Sequence, residues 1–361
     1  MLSSTALRGS MVGLVLLLSA CQGVPREGAN APLEERRVQL PSPAPAKSIP
    51  PMRYQQVALK EIAPGVAWAQ YKGQEKGHPV FVNVVSVDPR DPRYRVMVAP
   101  AEGPGPTRRE STRQIAKRQS AIAGINGSYF HFNNKHDGSP IGLVKVFGEV
   151  LSEPRGDRPA LGVAPDGTAF FGMPRRLTPA EQKAQLAKAL LPTPAPEPES
   201  RWRQWLKNLS GAPKPAKAAP EPKRAPYLNE PWDDAPFALE GGPLLVQGGE
   251  LKLSAGFDGY IMKAREPRTA VGLMPDGKLL LVTVDGRVPG HSKGIALAEL
   301  AQFFLELGAT EALNWDGGGS TTMMVNGELV SRVSTGWCRP VSNALLIVPN
   351  DPPTEPESET P

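Results

Sequence analysis

Proline decides where this chain can fold. The sequence holds 41 prolines among 361 residues, and they are bunched. A proline fixes φ and removes a backbone donor, so a run of them neither continues a helix nor sits inside a sheet. One bunch, in 21–53, mixes with alanine and charge and reads as a flexible tether. A second, at about 174–232, contains Pro192-Thr193-Pro194-Ala195-Pro196 and Pro213-Lys214-Pro215-Ala216-Lys217 and reads as a disordered insertion. A third, 351–361, reads as a disordered acidic tail. The remaining blocks, 54–173 and 233–350, hold roughly 235 residues, enough for one substantial core or two small ones.

Strand signals dominate those blocks. Val80 to Val87, Tyr94 to Val98, Leu279 to Val284 and Ala344 to Val348 are β-branched or apolar runs of strand length. Pro165-Asp166-Gly167 and Pro275-Asp276-Gly277 read as tight turns between strands. They follow similar segments, Leu161-Gly162-Val163-Ala164 and Val271-Gly272-Leu273-Met274; a weak internal repeat and ordinary hairpin grammar account for this equally well. Helices are expected over Thr112 to Ser120 and from about Ile295 to Leu307, where Leu300, Phe303, Phe304 and Leu307 share a face and Gly308 stops the helix. Inside the insertion, Thr178-Pro179-Ala180-Glu181 has the cap, proline and acid of a helix start, and Arg201 to Leu206 reads as a basic amphipathic turn. The expected fold class is α+β: a mixed, strand-rich single catalytic domain over 54–350 with a proline-rich insertion.

The N-terminus sets an expected compartment. Residues 1–20 have one positive charge, Arg8, and an apolar core from Met11 to Leu18, too short to span a bilayer, as in an export signal. Leu18-Ser19-Ala20-Cys21 resembles the bacterial lipobox, which implies cleavage before Cys21 and lipid attachment there. Gln22 rather than aspartate then favours the outer membrane in a Gram-negative cell. Cys338 is the other of the two cysteines, so the exported domain stands without an internal disulfide. A net charge of +5, with no dense Lys/Arg block, argues against a nucleic-acid partner.

Asn314-Trp315-Asp316-Gly317-Gly318-Gly319-Ser320-Thr321-Thr322 carries the most chemical information. An acid stands at a strand end beside three glycines and three hydroxyls. Such a loop exposes N–H groups that suit an oxyanion. Four further clusters break the core pattern: Asn126-Gly127-Ser128-Tyr129-Phe130, which is also ordinary hairpin-turn chemistry, Arg268-Thr269-Ala270-Val271-Gly272, Asp285-Gly286-Arg287, and Trp337-Cys338-Arg339-Pro340-Val341-Ser342-Asn343. Three arginines bordering buried strands point to an anionic substrate, because a guanidinium matches phosphate and carboxylate oxygens. The four histidines lack zinc-ligand spacing. No nucleophile elbow, Walker loop or dinucleotide fingerprint occurs. No cofactor is called for; a divalent cation stays open without a ligand set to argue for it.

In this order the clusters, with Gly241-Gly242-Pro243-Leu244-Leu245, resemble the phosphodiester glycosidase family over roughly 80–350, insertion excluded. The resemblance implies an α+β catalytic domain that hydrolyses a sugar-1-phosphodiester, with an anionic carbohydrate as partner and the membrane reached through Cys21. Ser128 departs from the family's second glycine, and Cys338 stands where an acid often precedes Arg-Pro-Val. A phosphate monoester with a second pKa near about 6 leaves readily, so cations can replace much of the acid help that ordinary glycosidases need. The expected catalytic residues are Asp316, Arg268 and Asp285, the last as second choice or as the group that orients Arg287. Arg268 and Arg339 bind phosphate, with Arg287 a further candidate. The N–H groups of Gly317, Gly318, Gly319 and Ser320 add donors. Asn126 and Asn343 bind sugar hydroxyls, and Tyr129, Thr269 and Thr321 complete the substrate-binding set. Two rivals stay open: a non-catalytic module for anionic envelope glycans, and a metal-dependent phosphohydrolase with Asp316 and Asp285 as ligands.

Overall fold

A computed structural model describes residues 53–103, 109–132, 138–189, 227–253 and 259–350. The first half comprises β1 (Tyr54–Ala63), β2 (Val66–Glu75), β3 (His78–Val87), β4 (Tyr94–Pro100), β5 (Glu110–Ser111), α1 (Thr112–Arg118), β6 (Ala123–Asn126), β7 (Val144–Val146), β8 (Glu149–Ser152), β9 (Ala160–Val163), β10 (Ala169–Gly172) and α2 (Pro179–Ala189). The second adds β11 (Phe237–Glu240), β12 (Leu244–Gln247), β13 (Glu250–Leu251), α3 (Gly259–Lys263), β14 (Arg268–Leu273), β15 (Leu279–Val284), α4 (Leu297–Glu306), β16 (Glu311–Asn314), β17 (Met323–Val325), β18 (Glu328–Leu329), β19 (Pro340–Val341) and β20 (Asn343–Pro349). The strand-rich α+β expectation holds.

The largest sheet runs β1-β2-β3-β15-β14-β16-β12-β13, and its pairings are antiparallel. A second sheet runs β10-β9-β11-β7-β8, a third β18-β17-β6-β20-β4, and β19 pairs with β5 in a short ribbon. The middle of the large sheet is covered on both faces. Along β15, Leu279 and Leu281 enter the core shared with β4, β6 and β20, whereas Leu280, Val282 and Val284 pack with α4. That two-sided burial is why β15 reads as an unbroken apolar run. On α4, Leu297, Leu300, Ala301, Phe303 and Phe304 are buried, and Glu299 Oε2 accepts the Ala296 N–H at 3.2 Å to cap its start.

Both Pro-Asp-Gly segments turn hairpins, β9–β10 and β14–β15. Gly167 and Gly277 take φ of +85° and +88°, and Asp166 and Asp276 each accept the N–H two residues on. Asn126-Gly127 is no hairpin turn, since β6 and β7 lie in different sheets; the segment crosses between sheets.

The margins of the proline-rich insertion are ordered. Thr178 and Glu181 form the expected reciprocal cap, Leu177 N–H donates to the Tyr227 carbonyl at 2.9 Å, and Leu228 and Trp232 are buried in a satellite cluster with Leu143, Ala160 and Ala238. The Arg201–Leu206 turn, the signal segment, Cys21, all but the end of the tether, and the acidic tail lie outside the described residues. No helix among the described residues is long and apolar enough to cross a membrane.

Gly272 makes room for Phe304: a Cβ there would stand 2.6 Å from the Phe304 ring. Phe304→Ala is therefore expected to lower unfolding free energy by about 3–5 kcal/mol. Gly272→Ala destabilises through the clash, and the double variant costs less than the two single effects combined, because truncating the ring relieves the overlap. Denaturant unfolding of the three variants measures this.

Candidate active site

The site grows from the carboxyl end of β16. Ala312 and Leu313 are buried between β12 and β14, which fixes the strand. Asn314 ends it, with Nδ2 donating to the Tyr129 hydroxyl (2.9 Å) and to the carbonyls of Gly242 (3.0 Å) and Trp315 (2.9 Å). Trp315 turns into the core and fills space that only a glycine at 241 leaves open. Asp316 thereby faces the other way. Burial pushes its carboxyl up to about 6, against the pull of nearby Ser320, the Arg339 guanidinium and the Gly317 N–H. A carboxyl of this kind exchanges a proton near neutral pH.

The glycines after Asp316 do something other than expected. Gly318 takes φ +60°, a left-handed conformation that favours glycine. A Cβ on Gly319 would collide with the Arg339 guanidinium. Three of the loop's N–H groups bond to main-chain carbonyls: Gly318 donates to that of Pro267 (2.8 Å), Ser320 to that of Gly317 (3.1 Å) and Thr321 to that of Gly318 (3.3 Å). Gly317 turns its N–H to the Asp316 carboxylate. This 3₁₀ turn, Gly318–Ser320, is a bed for the Arg339 guanidinium, and the Gly317, Gly318 and Ser320 N–H groups expected to face an oxyanion are engaged within the protein.

Asn126, Thr269, Thr321 and Asn343 also differ from expectation. Asn126 and Thr269 are fully buried. Asn126 Oδ1 accepts the Thr269 hydroxyl (2.7 Å) and the Thr322 N–H (3.1 Å), while Nδ2 donates to the Asp316 carbonyl (2.7 Å). Thr269 Oγ1 lies 3.4 Å from that of Thr321, itself buried. Asn343 Oδ1 accepts the Ser128 N–H (2.9 Å), and its Nδ2 donates to the Ser128 hydroxyl (3.0 Å). Asn126 and Asn343 therefore hold the loops together and are not presented to a sugar. Ser128 supplies Asn343 with a partner.

One expected arginine, Arg339, acts on the Asp316 carboxylate, and a second, Arg268, lies against the neighbouring Gly317. Arg339 rests on Gly319 and is felt by the carboxylate. Arg268 is buried; its Nη2 donates to the carbonyls of Ile261 (2.7 Å) and Ala264 (2.8 Å), at the carboxyl end of α3, and its Nε to that of Ile295 (3.2 Å). Burial lowers its pKa from the ordinary guanidinium value. Arg268 and Asp316 both act electrostatically on Tyr129, whose hydroxyl donates to the Gly242 carbonyl at 2.8 Å. Burial drives the Tyr129 pKa up, so the phenol stays neutral.

Arg287 lies near Gly318 but is ion-paired to Glu266. Asp285 does not hold it. The Asp285 carboxylate, fully buried, meets His291 Nε2 at 2.7 Å and the Arg332 N–H at 3.0 Å. It anchors the segment that leads to Arg339. Its pKa is raised by burial, with His291 opposing. Among the described residues, no three His, Cys, Asp or Glu side chains converge as metal ligands would. Cys338 is half-buried, and burial raises its thiol pKa.

Sequence reasoning passed over Arg158 and Glu240. The Arg158 guanidinium stands 5.6 Å from the centre of the Tyr129 ring. Glu240, fully buried before Gly241, accepts the N–H groups of Leu143 (3.0 Å) and Arg155 (3.1 Å) and so fixes the loop that carries Arg158. Arg158 sits in Arg155-Gly156-Asp157-Arg158, which looks like any solvated loop, so no signal marked it.

Because the folded protein prefers protonated Asp316, that preference stabilises it fully below about pH 4 and is lost as pH rises through about 6. Asp316→Asn is thus expected to match wild type in acid and to be more stable at pH 8, by up to about 3 kcal/mol. Thermal melts across that range check it; an Asn variant that melts lower at pH 8 contradicts a carboxylate disfavoured by desolvation.

Residues 206–348 match the sequence profile of the phosphodiester glycosidase family. An SPbeta prophage-derived uncharacterized protein, YomE of Bacillus subtilis (strain 168), is 36% identical over 94 residues, which is 26% of this chain and 14% of that protein. N-acetylglucosamine-1-phosphodiester alpha-N-acetylglucosaminidase of Bos taurus is 47% identical over 64 residues, 18% of this chain and 12% of the bovine one. The aligned stretches thus span only a small part of either relative. The catalytic domain of the zebrafish enzyme of that name, auto-inhibited by its pro-peptide, superposes with a TM-score of 0.56 at 22% identity, covering 82% of this chain and 87% of the other; that likeness is one of fold. Asp316, Arg268 and Arg339 all fall within 206–348, the stretch that is similar to the phosphodiester glycosidase family.

Proposed function

We propose that this protein hydrolyses the glycosidic bond of a sugar-1-phosphodiester in a cell-envelope or extracellular glycan. The observation that carries the proposal is Asp316, a carboxyl held at about 6 beside the Arg339 guanidinium. Similarity to the phosphodiester glycosidase family over 206–348 supports a hydrolase; the substrate and the residue roles are our reading.

Arg339 and the outer edge of Arg268 hold the phosphate oxygens. The bond from C1 to the phosphate oxygen breaks, and the phosphate monoester leaves with the electron pair. Negative charge grows on that phosphate, and cations set beforehand stabilise it without reorganising. Water adds at C1, and the Asp316 carboxylate takes its proton or stabilises the oxocarbenium-like state. Tyr129, neutral and fixed by Asn314, borders this space. Asp285 acts as an anchor for the Arg339 segment. Arg287, committed to Glu266, is a secondary contact.

Arg268→Ala and Asp316→Asn are expected to lower turnover of a glycosyl phosphodiester by about 10²–10³ while remaining folded. Since the carboxylate is the working form, kcat/KM is expected to fall as pH drops through about 6. Released reducing sugar measures both. Tight glycan binding with no turnover favours a binding module. Phosphate as first product, with loss of activity in EDTA, favours a phosphohydrolase.

We further propose that Cys21 is lipidated and ties the exported domain to the envelope. Cys21→Ser is expected to move the protein from the membrane fraction to the soluble fraction without changing its specific activity.

A further inference from the structure

The loop after β15 carries cations that the reaction above leaves largely idle. A bridge between Val288 and Ser292 folds this loop back on itself. The Lys293 N–H donates to the Pro79 carbonyl at 2.9 Å, which ties the loop to the start of β3. Arg287 and Lys293 thereby become opposite neighbours, with the Arg287 N–H directed to the Lys293 carbonyl at 3.4 Å. Both are exposed and line a cleft of about 280 Å³, together with exposed His78. Like charges set opposite each other on paired segments are destabilising. Glu266 engages only Nε of Arg287, whose two Nη groups make no hydrogen bond to a described residue. No acid among the described residues pairs with Lys293. The Arg287 backbone takes φ +58°, uncommon for a residue with a Cβ, and strain of this kind gathers at functional sites. This conformation carries the guanidinium to the Asp316 loop, where Nη2 would stand 3.6 Å from a Cβ on Gly318. The next residue, Gly319, is the one on which Arg339 rests. Opposed cations held beside that loop have a use where a second negative group arrives with the substrate.

We infer that Arg287, Lys293 and His78 form a subsite for a second oxyanion, a phosphate or carboxylate carried by the same glycan. The inference rests on the phosphodiester reading and narrows its substrate class to glycans with an anionic group close to the scissile linkage. Arg287 keeps its Nε on Glu266 and turns its Nη groups to the oxyanion, whose planar or tetrahedral oxygens suit the guanidinium fork. Lys293 adds a compact charge with three donors, and the His78 ring adds an N–H. The cleft is smaller than most whole-ligand pockets, so it takes one substituent and not a complete sugar.

Calorimetric titration of the full-length protein with glucose 1-phosphate, glucose 1,6-bisphosphate and glucuronic acid 1-phosphate tests this. At least one of the two probes with a second anionic group is expected to bind about tenfold or more tighter than glucose 1-phosphate, the scale of one hydrogen bond to a charged group. Whichever binds tighter tells phosphate from carboxylate. Lys293→Gln combined with His78→Gln is expected to remove that advantage and leave glucose 1-phosphate binding within about twofold of wild type. Both side chains are exposed, and an unchanged melting temperature confirms that the variant is folded. The subsite is overturned by equal affinity of all three probes for wild type, by failure of the probes to bind, by an advantage that survives the substitutions, or by an equal loss for every probe. The readout is binding, so a protein that shows the expected pattern yet releases no sugar refutes the glycosidase reading and not the subsite.

Discussion

One buried amide ties the site together. Asn126 ends β6 in one sheet, Thr269 lies on β14 in another, and Thr322 and Asp316 bracket the tri-glycine turn. The Asn126 side chain bonds to all of these segments. Leaving any one of those buried groups unpaired costs about 1–3 kcal/mol, so the segments hold one arrangement or lose all three bonds. The Asn343–Ser128 pair does the same for the turn after β6 and the start of β20. With the loops fixed in this way, Asp316 sits at the seam where the sheets meet.

The electrostatics follow from that frame. Burial favours protonated Asp316; the Ser320 side chain and then Arg339, laid on Gly319, pull back toward the ionised form, and the carboxyl pKa settles at about 6. Arg268 is buried nearby, and three main-chain carbonyls compensate its charge. Its cation is therefore held in place before any ligand arrives. Positioned charge of this kind is what a departing phosphate needs. Asp285, His291 and the Arg332 N–H act one layer back, where the chain begins its return toward Arg339.

Much of the fold was legible. The runs that became β3, β15 and β20, the Pro-Asp-Gly hairpins and the Thr178–Glu181 cap are local, and each follows from a handful of neighbouring residues. That Asp316, Arg268 and Arg339 border the tri-glycine turn was also an expectation drawn from the sequence, because acid, glycine and arginine at buried strand ends conflict with simple core packing; Arg339 lies against Gly319 and Arg268 against Gly317. Roles were harder to read. A polar side chain between apolar strands looks the same whether it faces a ligand or a neighbouring loop, and Asn126 and Asn343 turned out to face loops. The glycines raised the matching ambiguity: a run that can expose N–H groups can also turn them inward, and Pro267 takes the Gly318 donor.

The chain by itself determined the segments that must be strands, the helices that cover them, the prolines that no sheet can absorb and the chemical types gathered at strand ends. These depend on periodicity, turn stereochemistry and side-chain chemistry, which act within a few residues. Tertiary structure alone decided which polar groups pair with each other. Arg287 with Glu266, Asp285 with His291, and Glu240 beneath the Arg158 loop join residues whose meeting depends on how three sheets are stacked. Hydrogen bonds and ion pairs act over a few ångströms in space. A sequence does not specify such distances until its apolar faces have chosen their partners.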